Sequence, residues 1–401
     1  MVSSRFGRLP DGARDLLPAE AKRKRQLEQG FAQLAEQWGY QEVVTPTFEY
    51  YENLVSGDRD DGELYKFIDR KGHIMALRPD LTRPIARMVS ARMRHVPIPI
   101  RLYYLSHAYN YEEALVGRQR EFYQAGVEVL GASGPAADAE AVAMAVEALQ
   151  RSGVKDFRLS LGHVGIFHSL MKELNLHVEQ VKEIKKALEG KDFVKLGELL
   201  AARDIPSEKQ QRITRLLSLR GGSDILPQAE EILDSEDAMA ALKNLQQVYE
   251  TLASYGVQQH VTLDLGLLLG LDYYTGAVFE GYTLSLGFPI CGGGRYNNLL
   301  GHFDYQLPAT GFAINVDQLL VALEKQQGPS EGPTADVLVG WATDRLPDAV
   351  KKVQQLRAKG SKAELMLEPA EYEQVLSYAK ERCIKDVIYV KESGVRSQES
   401  E

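Results

Sequence analysis

Apolar residues recur along the chain with spacings that change from segment to segment, and each spacing predicts a kind of element. Near the amino terminus they predict an amphipathic helix whose apolar face holds Leu27, Phe31, Leu34, Ala35 and Trp38. Shorter runs bounded by turn residues predict strands at 64–68, 73–77 and 157–161, and a strand hairpin within 102–131. The segment 41–54 predicts a short strand that is interrupted at Pro46. Helices are predicted at 81–94 and 138–152. The first part of the chain is therefore expected to mix helices with a sheet.

The pattern changes again further along the chain. From about 165 to 255, Leu, Lys, Glu and Ala dominate with helical spacing, which predicts a helical insertion. Strand patterns return at 260–265 and 277–282, and a glycine-rich turn in CGGGRY leads into a strand and a helix in GFAINVDQLLVALEK. The sequence therefore predicts an α+β core over residues 1–325, with an antiparallel sheet flanked by helices.

The segment QQGPSEGPT, residues 326–334, is the clearest linker in the chain because it is rich in Gly, Pro and polar residues. After it, strand and helix patterns alternate. This alternation predicts a small α/β domain over residues 335–401 with a largely parallel sheet. The final residues, GVRSQESE, are polar, and we expect them to be frayed.

Composition and charge narrow the class of protein. The 401 residues are 44% apolar and 26% charged, which is typical of a soluble protein with two or three globular domains. We expect a cytoplasmic protein without membrane contact, since neither a secretory signal nor a run of eighteen apolar residues is present. The net charge of −9 disfavours a dedicated nucleic-acid binder. The basic run 22–25 is interpreted as the solvated start of the first helix, and the spacing of Cys291 and Cys383 predicts neither a metal site nor a disulfide.

Two segments carry polar residues suited to a small ligand. LRPDLT places Asp80 and Thr82 at a strand end, where they could hold an ammonium group or, equally, cap the following helix. In REFYQAGVEVLG, Gln124 and Glu128 share one face of a strand, and burying them without partners would be costly. We interpret this pair as contacts to a small polar ligand, with an internal polar network as the alternative.

The remaining motifs predict binding rather than catalysis. LDYYTGAVFE adds the hydroxyls of Tyr273 and Tyr274, and the glycines of CGGGRY allow close approach of the backbone to a ligand. No phosphate loop, nucleophile pattern or metal spacing occurs, so no catalytic residue, metal or cofactor is predicted. The hairpin within 102–131 has the form of a nucleotide-binding hairpin, but Asn110 stands where a cation is expected. This absence favours a sensor over a catalyst.

Six segments occur in the order found in histidyl-tRNA synthetases, and residues 7–325 resemble that family. The segments are PDGARDLLP, LRPDLT, the hairpin, LDYYTGAVFE, GGGRY and GFAINVDQL. The resemblance implies a class II aminoacyl-tRNA synthetase-like core with a helical insertion, followed by a truncated anticodon-binding-like domain. It also implies a histidine-binding set made of Asp80, Thr82, Arg120, Gln124, Glu128, Tyr273, Tyr274 and Tyr296.

Three departures from the enzymes change the functional expectation. The resemblance places Asn110, Leu269 and Gln318 where synthetases carry arginines that stabilise charge on phosphorus, and their loss leaves no plausible adenylation. The combination of a histidine-binding set with missing arginines resembles the synthetase-like regulatory subunits of ATP phosphoribosyltransferase, which act in the first step of histidine biosynthesis. The resemblance implies a non-catalytic subunit that enables a short catalytic subunit and takes part in feedback inhibition by histidine.

The same resemblance implies a homodimer core within a hetero-octamer, without tRNA. In the expected pose, Asp80, Thr82 and Gln124 hold the α-amino group of histidine, while Glu128 and Tyr274 contact the imidazole. The alternative is a divergent histidyl-tRNA synthetase or an amino-acid ligase with another acceptor. A third possibility, an RNA-binding module without a ligand, is disfavoured by the acidic charge balance.

Overall fold

A computed structural model describes residues 7–55, 64–111, 119–203, 205–270, 273–328, 335–391 and 394–398. The chain divides into two compact units, residues 1–328 and 329–401. The helices of the first unit are α1 (Pro18–Gln37), α2 (Tyr51–Leu54), α3 (Thr82–Arg92), α4 (Pro135–Ser152), α5 (Val164–Glu173), α6 (Val178–Glu189), α7 (Phe193–Ala201), α8 (Ser207–Leu217), α9 (Ile225–Ile232), α10 (Glu236–Ser254) and α11 (Val316–Gln327). Helix α11 therefore takes in the first residues of the segment expected as a linker.

The strands of the first unit build two sheets. They are β1 (Gln41–Glu42), β2 (Phe48–Tyr50), β3 (Lys66–Ile68), β4 (Ile74–Leu77), β5 (Ile100–Tyr109), β6 (Glu121–Leu130), β7 (Phe157–His163), β8 (Arg220–Gly221), β9 (Val261–Asp264), β10 (Ala277–Thr283), β11 (Cys291–Arg295) and β12 (Ala309–Asn315). Among the described residues, nine strands form a large sheet in the order β1-β5-β6-β12-β11-β10-β7-β9-β8. Its pairs are antiparallel except β1 with β5 and β7 with β9, which confirms the predicted antiparallel α+β core.

Helices α1 and α4 pack on one face of the large sheet. The predicted apolar face of α1 is largely confirmed, since Phe31, Leu34 and Ala35 are buried against strand residues such as Val127. This packing accounts for the helical spacing of the apolar residues, because only one face of α1 is removed from water when the helix packs on the sheet. The opposite face of the same sheet is left open for a cavity.

The basic run at the start of α1 is not fully solvated, and that expectation was wrong for one residue. Lys24 pairs with the buried carboxylate of Glu28. Its Nζ also lies 3.4 Å from the ring centroid of Tyr123 on β6. A cation held between a carboxylate and an aromatic face stabilises the docking of α1 on the sheet. The pattern of charges along the sequence could not reveal that the Lys24 side chain points into the protein. The burial of Glu28 and the position of the Tyr123 ring both depend on tertiary packing.

A second polar contact ties the segment before α1 to the same strand. Arg14 Nη2 lies 3.0 Å from Asp317 Oδ1, at the start of α11. The other carboxylate oxygen of Asp317 accepts a hydrogen bond from the backbone N–H of Tyr123 at 2.6 Å. Asp317 is buried, so its charge depends on these donors.

CGGGRY was expected to be a turn, but it forms β11, an interior strand of the large sheet. The strand pairs with β10 on one side and β12 on the other. Glycine fits here because neighbouring backbone is very close: a Cβ at Gly293 would lie 2.2 Å from the carbonyl oxygen of Gly311. The glycines therefore permit tight strand packing rather than a change of chain direction.

A smaller sheet, in the order β2-β4-β3, lies in the same unit. Phe48 and Phe67 contact each other edge to face with ring centroids 6.1 Å apart, although about half of each side chain is exposed. Tyr50 is similarly exposed, and Val44, just before the sheet, is exposed at 79%. This group of residues, Val44, Phe48, Tyr50 and Phe67, is called the apolar face below.

The helical insertion predicted at 165–255 corresponds to α5–α10, interrupted by the short strand β8. Its apolar stripes merge with the core of the large sheet through residues such as Ile184, Leu216 and Leu245. Within the described part of the chain, no helix has the length and apolar character needed to cross a membrane.

The second unit is a small α/β domain. Its elements are β13 (Val337–Trp341), α12 (Leu346–Ala358), β14 (Ala363–Leu365), α13 (Tyr372–Glu381), β15 (Asp386–Lys391) and β16 (Gly394–Gln398). Strands β14, β13 and β15 are parallel, as the alternation of elements predicted. The expectation of a frayed end was wrong for residues 394–398, which pair antiparallel with β15. Backbone pairing stabilises this polar edge strand, and its side-chain pattern carries no such signal.

Candidate functional site

A cavity of about 380 Å³ opens on the face of the large sheet opposite α1 and α4. All residues of the predicted histidine-binding set except Arg120 line it: Asp80, Thr82, Gln124, Glu128, Tyr273, Tyr274 and Tyr296. They come from the start of α3, from β6, from the segment before β10 and from the end of β11. Residues more than two hundred positions apart thus meet in one site.

Strand register explains why the polar residues of β6 face the cavity. Gln124 pairs with Ser106 of β5 and Asn315 of β12, and Glu128 pairs with Leu102 and Gly311. Because alternate residues share a face, Gln124 and Glu128 point the same way, while the other face of β6 enters the core. The strand interpretation of the sequence is confirmed at these two positions.

Glu128 is the most deeply buried carboxyl group of the cavity, with 2% of the residue exposed. Thr82 Oγ1 donates a hydrogen bond to Glu128 Oε1 at 3.0 Å, and the Tyr296 hydroxyl donates one to Oε2. Desolvation raises the pKa of Glu128 to about 8 despite these donors. The carboxyl group can therefore donate or accept a proton near neutral pH.

Asp80 fulfils the capping role that the sequence left open, and it also lines the cavity. Its Oδ1 accepts a hydrogen bond from the backbone N–H of Arg83 at 3.2 Å, in the first turn of α3. Asp80 is 7% exposed. The carboxylate is thus held in a fixed orientation at the cavity wall, where the positive end of the helix dipole stabilises its charge.

Gln124 supplies an acceptor at the cavity. Its Oε1 is buried and has no hydrogen-bond partner among the residues described by the structure. Buried acceptors are costly when they are left unpaired. A ligand N–H donor within the cavity would satisfy this oxygen.

Tyrosines form one wall of the cavity. The ring centroids of Tyr273 and Tyr274 are 4.8 Å apart, and those of Tyr273 and Tyr296 are 5.7 Å apart. Burial raises the pKa of all three hydroxyls, so they remain neutral donors and acceptors. Tyr104, which the sequence analysis did not identify, completes this wall beside Gly126.

Several arginines near the cavity point elsewhere. The guanidinium of Arg78, in LRPDLT, donates to the backbone oxygens of residues 45, 46 and 107. Arg295, in GGGRY, forms a buried ion pair with Asp138 of α4, with Nε 2.9 Å from each carboxylate oxygen. Arg120 lies outside the cavity wall, with its guanidinium carbon 4.6 Å from the ring centroid of Tyr111.

The described cavity wall carries carboxyl groups but no cationic side chain. It contains the carboxyl groups of Asp80, Glu128 and Glu280, and none of its described residues is Lys, Arg or His. Glu280 was missed by the sequence analysis, although a charged residue inside the apolar run of β10 was a detectable signal. Burial raises the pKa of Glu280, and the hydroxyl of Tyr282 partly offsets this effect by donating to it.

Three further wall residues bear on catalysis. Asn110 at the end of β5, Leu269 before β10 and Gln318 in α11 all line the same cavity. Their side chains are neutral, so they add hydrogen-bonding or apolar surface but no cation. No group of His, Cys, Asp and Glu suited to a metal ion occurs in the described ranges of the chain. The arrangement is suited to binding a small amine with aromatic character.

The fold and the site together define a class. The sequence profile of the histidyl-tRNA synthetase family matches residues 12–319. A solved histidyl-tRNA synthetase from Nostoc, with 24% identity over 95% of this chain and 91% of that chain, shares the fold with a TM-score of 0.83. The first unit is therefore a class II synthetase-like core of the histidyl type.

More similar proteins narrow that class. A regulatory subunit of ATP phosphoribosyltransferase from Desulforamulus reducens is 55% identical over 362 residues, which cover 90% of each chain. One from Desulfitobacterium hafniense is 40% identical over 98% of this chain and 100% of that protein. The crystal structure of an ATP phosphoribosyltransferase regulatory subunit/histidyl-tRNA synthetase from Bacillus halodurans has 33% identity and a TM-score of 0.85 over 96% of this chain and 98% of that chain. The chain belongs to the family of ATP phosphoribosyltransferase regulatory subunits.

Proposed function

We propose that this protein is a non-catalytic regulatory subunit that enables a short ATP phosphoribosyltransferase catalytic subunit and reports the histidine level to it. Family membership supports the regulatory role. The observation that carries the histidine part is the cavity, where polar side chains from α3, β6 and β11 converge. Its retained tyrosines and carboxyl groups match an amino acid that carries both an ammonium group and an imidazole.

In the proposed complex, the ammonium group of histidine lies against Asp80, Thr82 and Gln124. The unpaired Oε1 of Gln124 supports this pose, since an ammonium group supplies the missing donor. Glu128 and Tyr274 contact the imidazole. A carboxyl group whose pKa is about 8 can donate to a neutral imidazole or pair with a protonated one.

The proposal excludes adenylation by this chain. A class II active site stabilises a pentavalent phosphorus with cations. Within the residues described by the structure, the cavity wall presents none. We infer that Asn110, Leu269 and Gln318 replace the arginines of the enzymes, so ATP would lack its charge partners in this cavity.

Partners follow from the same family resemblance. We propose a homodimer core within a hetero-octamer that also contains the catalytic subunit, and no binding of tRNA. The apolar face supports the homodimer, because exposed apolar groups such as the contacting pair Phe48 and Phe67 often mark protein–protein interfaces.

Reconstitution tests the regulatory role. The short catalytic subunit of the same organism is assayed for ATP phosphoribosyltransferase activity alone, with this chain, and with this chain plus histidine. We expect activity only in the mixture and inhibition by histidine. The proposal fails if the catalytic subunit is equally active alone. The Glu128→Gln variant shows whether inhibition acts through the cavity, because it should still activate but respond less to histidine.

The second candidate is a divergent histidyl-tRNA synthetase, favoured only by the retained amino-acid side of the cavity. That enzyme would exchange pyrophosphate into ATP when histidine is present. We expect no exchange above the level of a histidine-free control. Measurable exchange that disappears in Glu128→Gln would establish the enzyme instead.

A further inference from the structure

The cavity offers charged and polar partners for the ammonium group and the imidazole of histidine but no cation for its α-carboxylate among the described residues. An ammonium group and an imidazole both find carboxyl, amide and hydroxyl partners in Asp80, Gln124, Glu128 and Tyr274. An α-carboxylate would need a cation or several strong donors. Among the described wall residues, only neutral donors could serve it: side-chain amides such as those of Asn110 and Gln318, the hydroxyls of the wall tyrosines, and the backbone.

Two buried arginines near the cavity, Arg78 and Arg295, are committed to other partners. A third, Arg83, has its guanidinium carbon 5.9 Å from the ring centroid of Tyr273 and is not among the described residues that line the cavity. Arg78 is 2% exposed and Arg295 is 4% exposed, and each is surrounded by protein acceptors. Moving the guanidinium of Arg295 into the cavity would leave a buried carboxylate unpaired, and moving that of Arg78 would leave several buried carbonyl groups unpaired. Rearrangement of these arginines therefore offers no practical route to a carboxylate site.

We propose that the cavity selects cationic imidazole amines and discriminates against an α-carboxylate, so that an uncharged group at that position is preferred. The proposal rests on the proposed function, because it concerns the ligand class of the same cavity. Asp80, just before α3, and Glu280, in β10, both line the cavity and supply carboxyl groups that favour a cationic ligand.

Electrostatics gives the direction and the rough size of the preference. A carboxylate that enters a partly desolvated cavity without a cation loses hydration that neutral amides only partly replace. It also faces the like charge of Asp80. We expect the like-charge contact and the unpaired charge together to reduce affinity by about tenfold. A ligand with a hydroxymethyl group in place of the carboxylate avoids both penalties and keeps the ammonium group and the imidazole.

Calorimetric titration of the full chain tests the preference with three probes: L-histidine, L-histidinol and L-alaninol. We expect L-histidinol to bind about tenfold more tightly than L-histidine, and L-alaninol, which lacks the imidazole, to bind at least about tenfold more weakly than L-histidinol. Tighter binding of L-histidine than of L-histidinol would overturn this inference and leave the proposed function intact. If neither imidazole compound binds, with or without the catalytic subunit, the histidine part of the proposed function fails as well.

Restoring a cation provides the reverse test. Leu269→Arg should shift the ratio of L-histidine to L-histidinol affinity by about tenfold toward L-histidine, since it offers the carboxylate a partner. Leu269→Met, which keeps the apolar character and approximate size, should leave the ratio unchanged. Gln318→Arg with Gln318→Met repeats the comparison at a more exposed position, in case Leu269→Arg does not fold. An unchanged ratio in a folded arginine variant would contradict the inference.

Discussion

The charge of Glu128 should follow pH near neutrality, because its carboxyl group is buried and the described residues of its cavity include no Lys, Arg or His. Its pKa is raised from 4.5 to about 8. A raised pKa means that the folded chain holds this proton more tightly than the unfolded chain. The resulting stabilisation is complete below about pH 4.5 and is lost as the pH rises through about 8.

Glu128→Gln should therefore change the pH dependence of stability. Between about pH 5 and pH 9, we expect the free energy of unfolding of the unmodified chain to fall relative to the variant by more than about 1 kcal/mol, since one pKa unit corresponds to about 1.4 kcal/mol. Urea unfolding at a series of pH values measures this difference. Glu324→Gln, at an exposed glutamate of α11, is the matched comparison. If the free energies of unfolding of Glu128→Gln and the unmodified chain differ by the same amount at every pH, the raised pKa of Glu128 is contradicted.

Sequence reasoning identified residues whose polarity conflicts with their surroundings. Gln124 and Glu128 were recognisable because they interrupt an apolar strand. Glu280 interrupts β10 in the same way, but it was not predicted, because the hydroxyls of Tyr273 and Tyr274 carried the binding signal of that segment. The burial of the Lys24 side chain could not be predicted, since the Tyr123 ring that it contacts is about a hundred residues away in sequence.

At the scale of elements, the cavity depends on how closely β6, β11 and β12 pack. Gly311 of β12 lies directly opposite Glu128, and a Cβ there would lie 2.0 Å from Glu128 Oε2 and 2.3 Å from the carbonyl oxygen of Val127. Gly292 of β11 also lines the cavity, but a Cβ there would meet nothing closer than 3.5 Å. Both positions lie in regular strands, so only the space available distinguishes them.

Gly311→Ala and Gly292→Ala form a matched pair of substitutions. We expect Gly311→Ala to lower the free energy of unfolding by about 1–3 kcal/mol, as overpacked cores do, and to weaken histidine binding by displacing Glu128. Gly292→Ala should leave both nearly unchanged. Thermal unfolding and calorimetric titration check the two variants. Equal effects would show that the loss of glycine, rather than the contact with Glu128, is responsible.

The ion pair between Arg295 and Asp138 joins β11 to the first turn of α4. Because both side chains are at most 5% exposed, removing one charge leaves the other buried and unpaired. Asp138→Asn should destabilise the chain by about 3–5 kcal/mol in urea unfolding. Asp237→Asn removes the same kind of charge from an exposed pair with Lys172 and should cost less than about 1 kcal/mol. Similar losses in both variants would contradict this account.

At the scale of the whole molecule, the sequence predicted the succession of elements in both units more accurately than their edges. Long periodic segments such as α1, α4 and the insertion were recognisable because burial imposes their spacing. CGGGRY and residues 394–398 were misassigned because glycine and polar residues usually mark loops. In these strands, close backbone packing and edge pairing override that tendency.

The apolar face gives a prediction about assembly. If it pairs with a second copy of the chain, Phe67→Glu should shift the protein from dimer toward monomer, because a charge would be buried at the interface. Leu284→Glu introduces the same charge on a different, 90% exposed residue and should leave the dimer intact. Sedimentation velocity at several concentrations distinguishes the two variants. A dimer that persists in Phe67→Glu would place the contact elsewhere.

Leu269 also limits how the cavity can be changed. It lies in the cavity wall but packs with the main core at 8% exposure. An arginine there would place a charge at a buried apolar position and would weaken the fold. Any cation introduced at this point of the wall therefore trades stability of the whole unit for a new ligand contact.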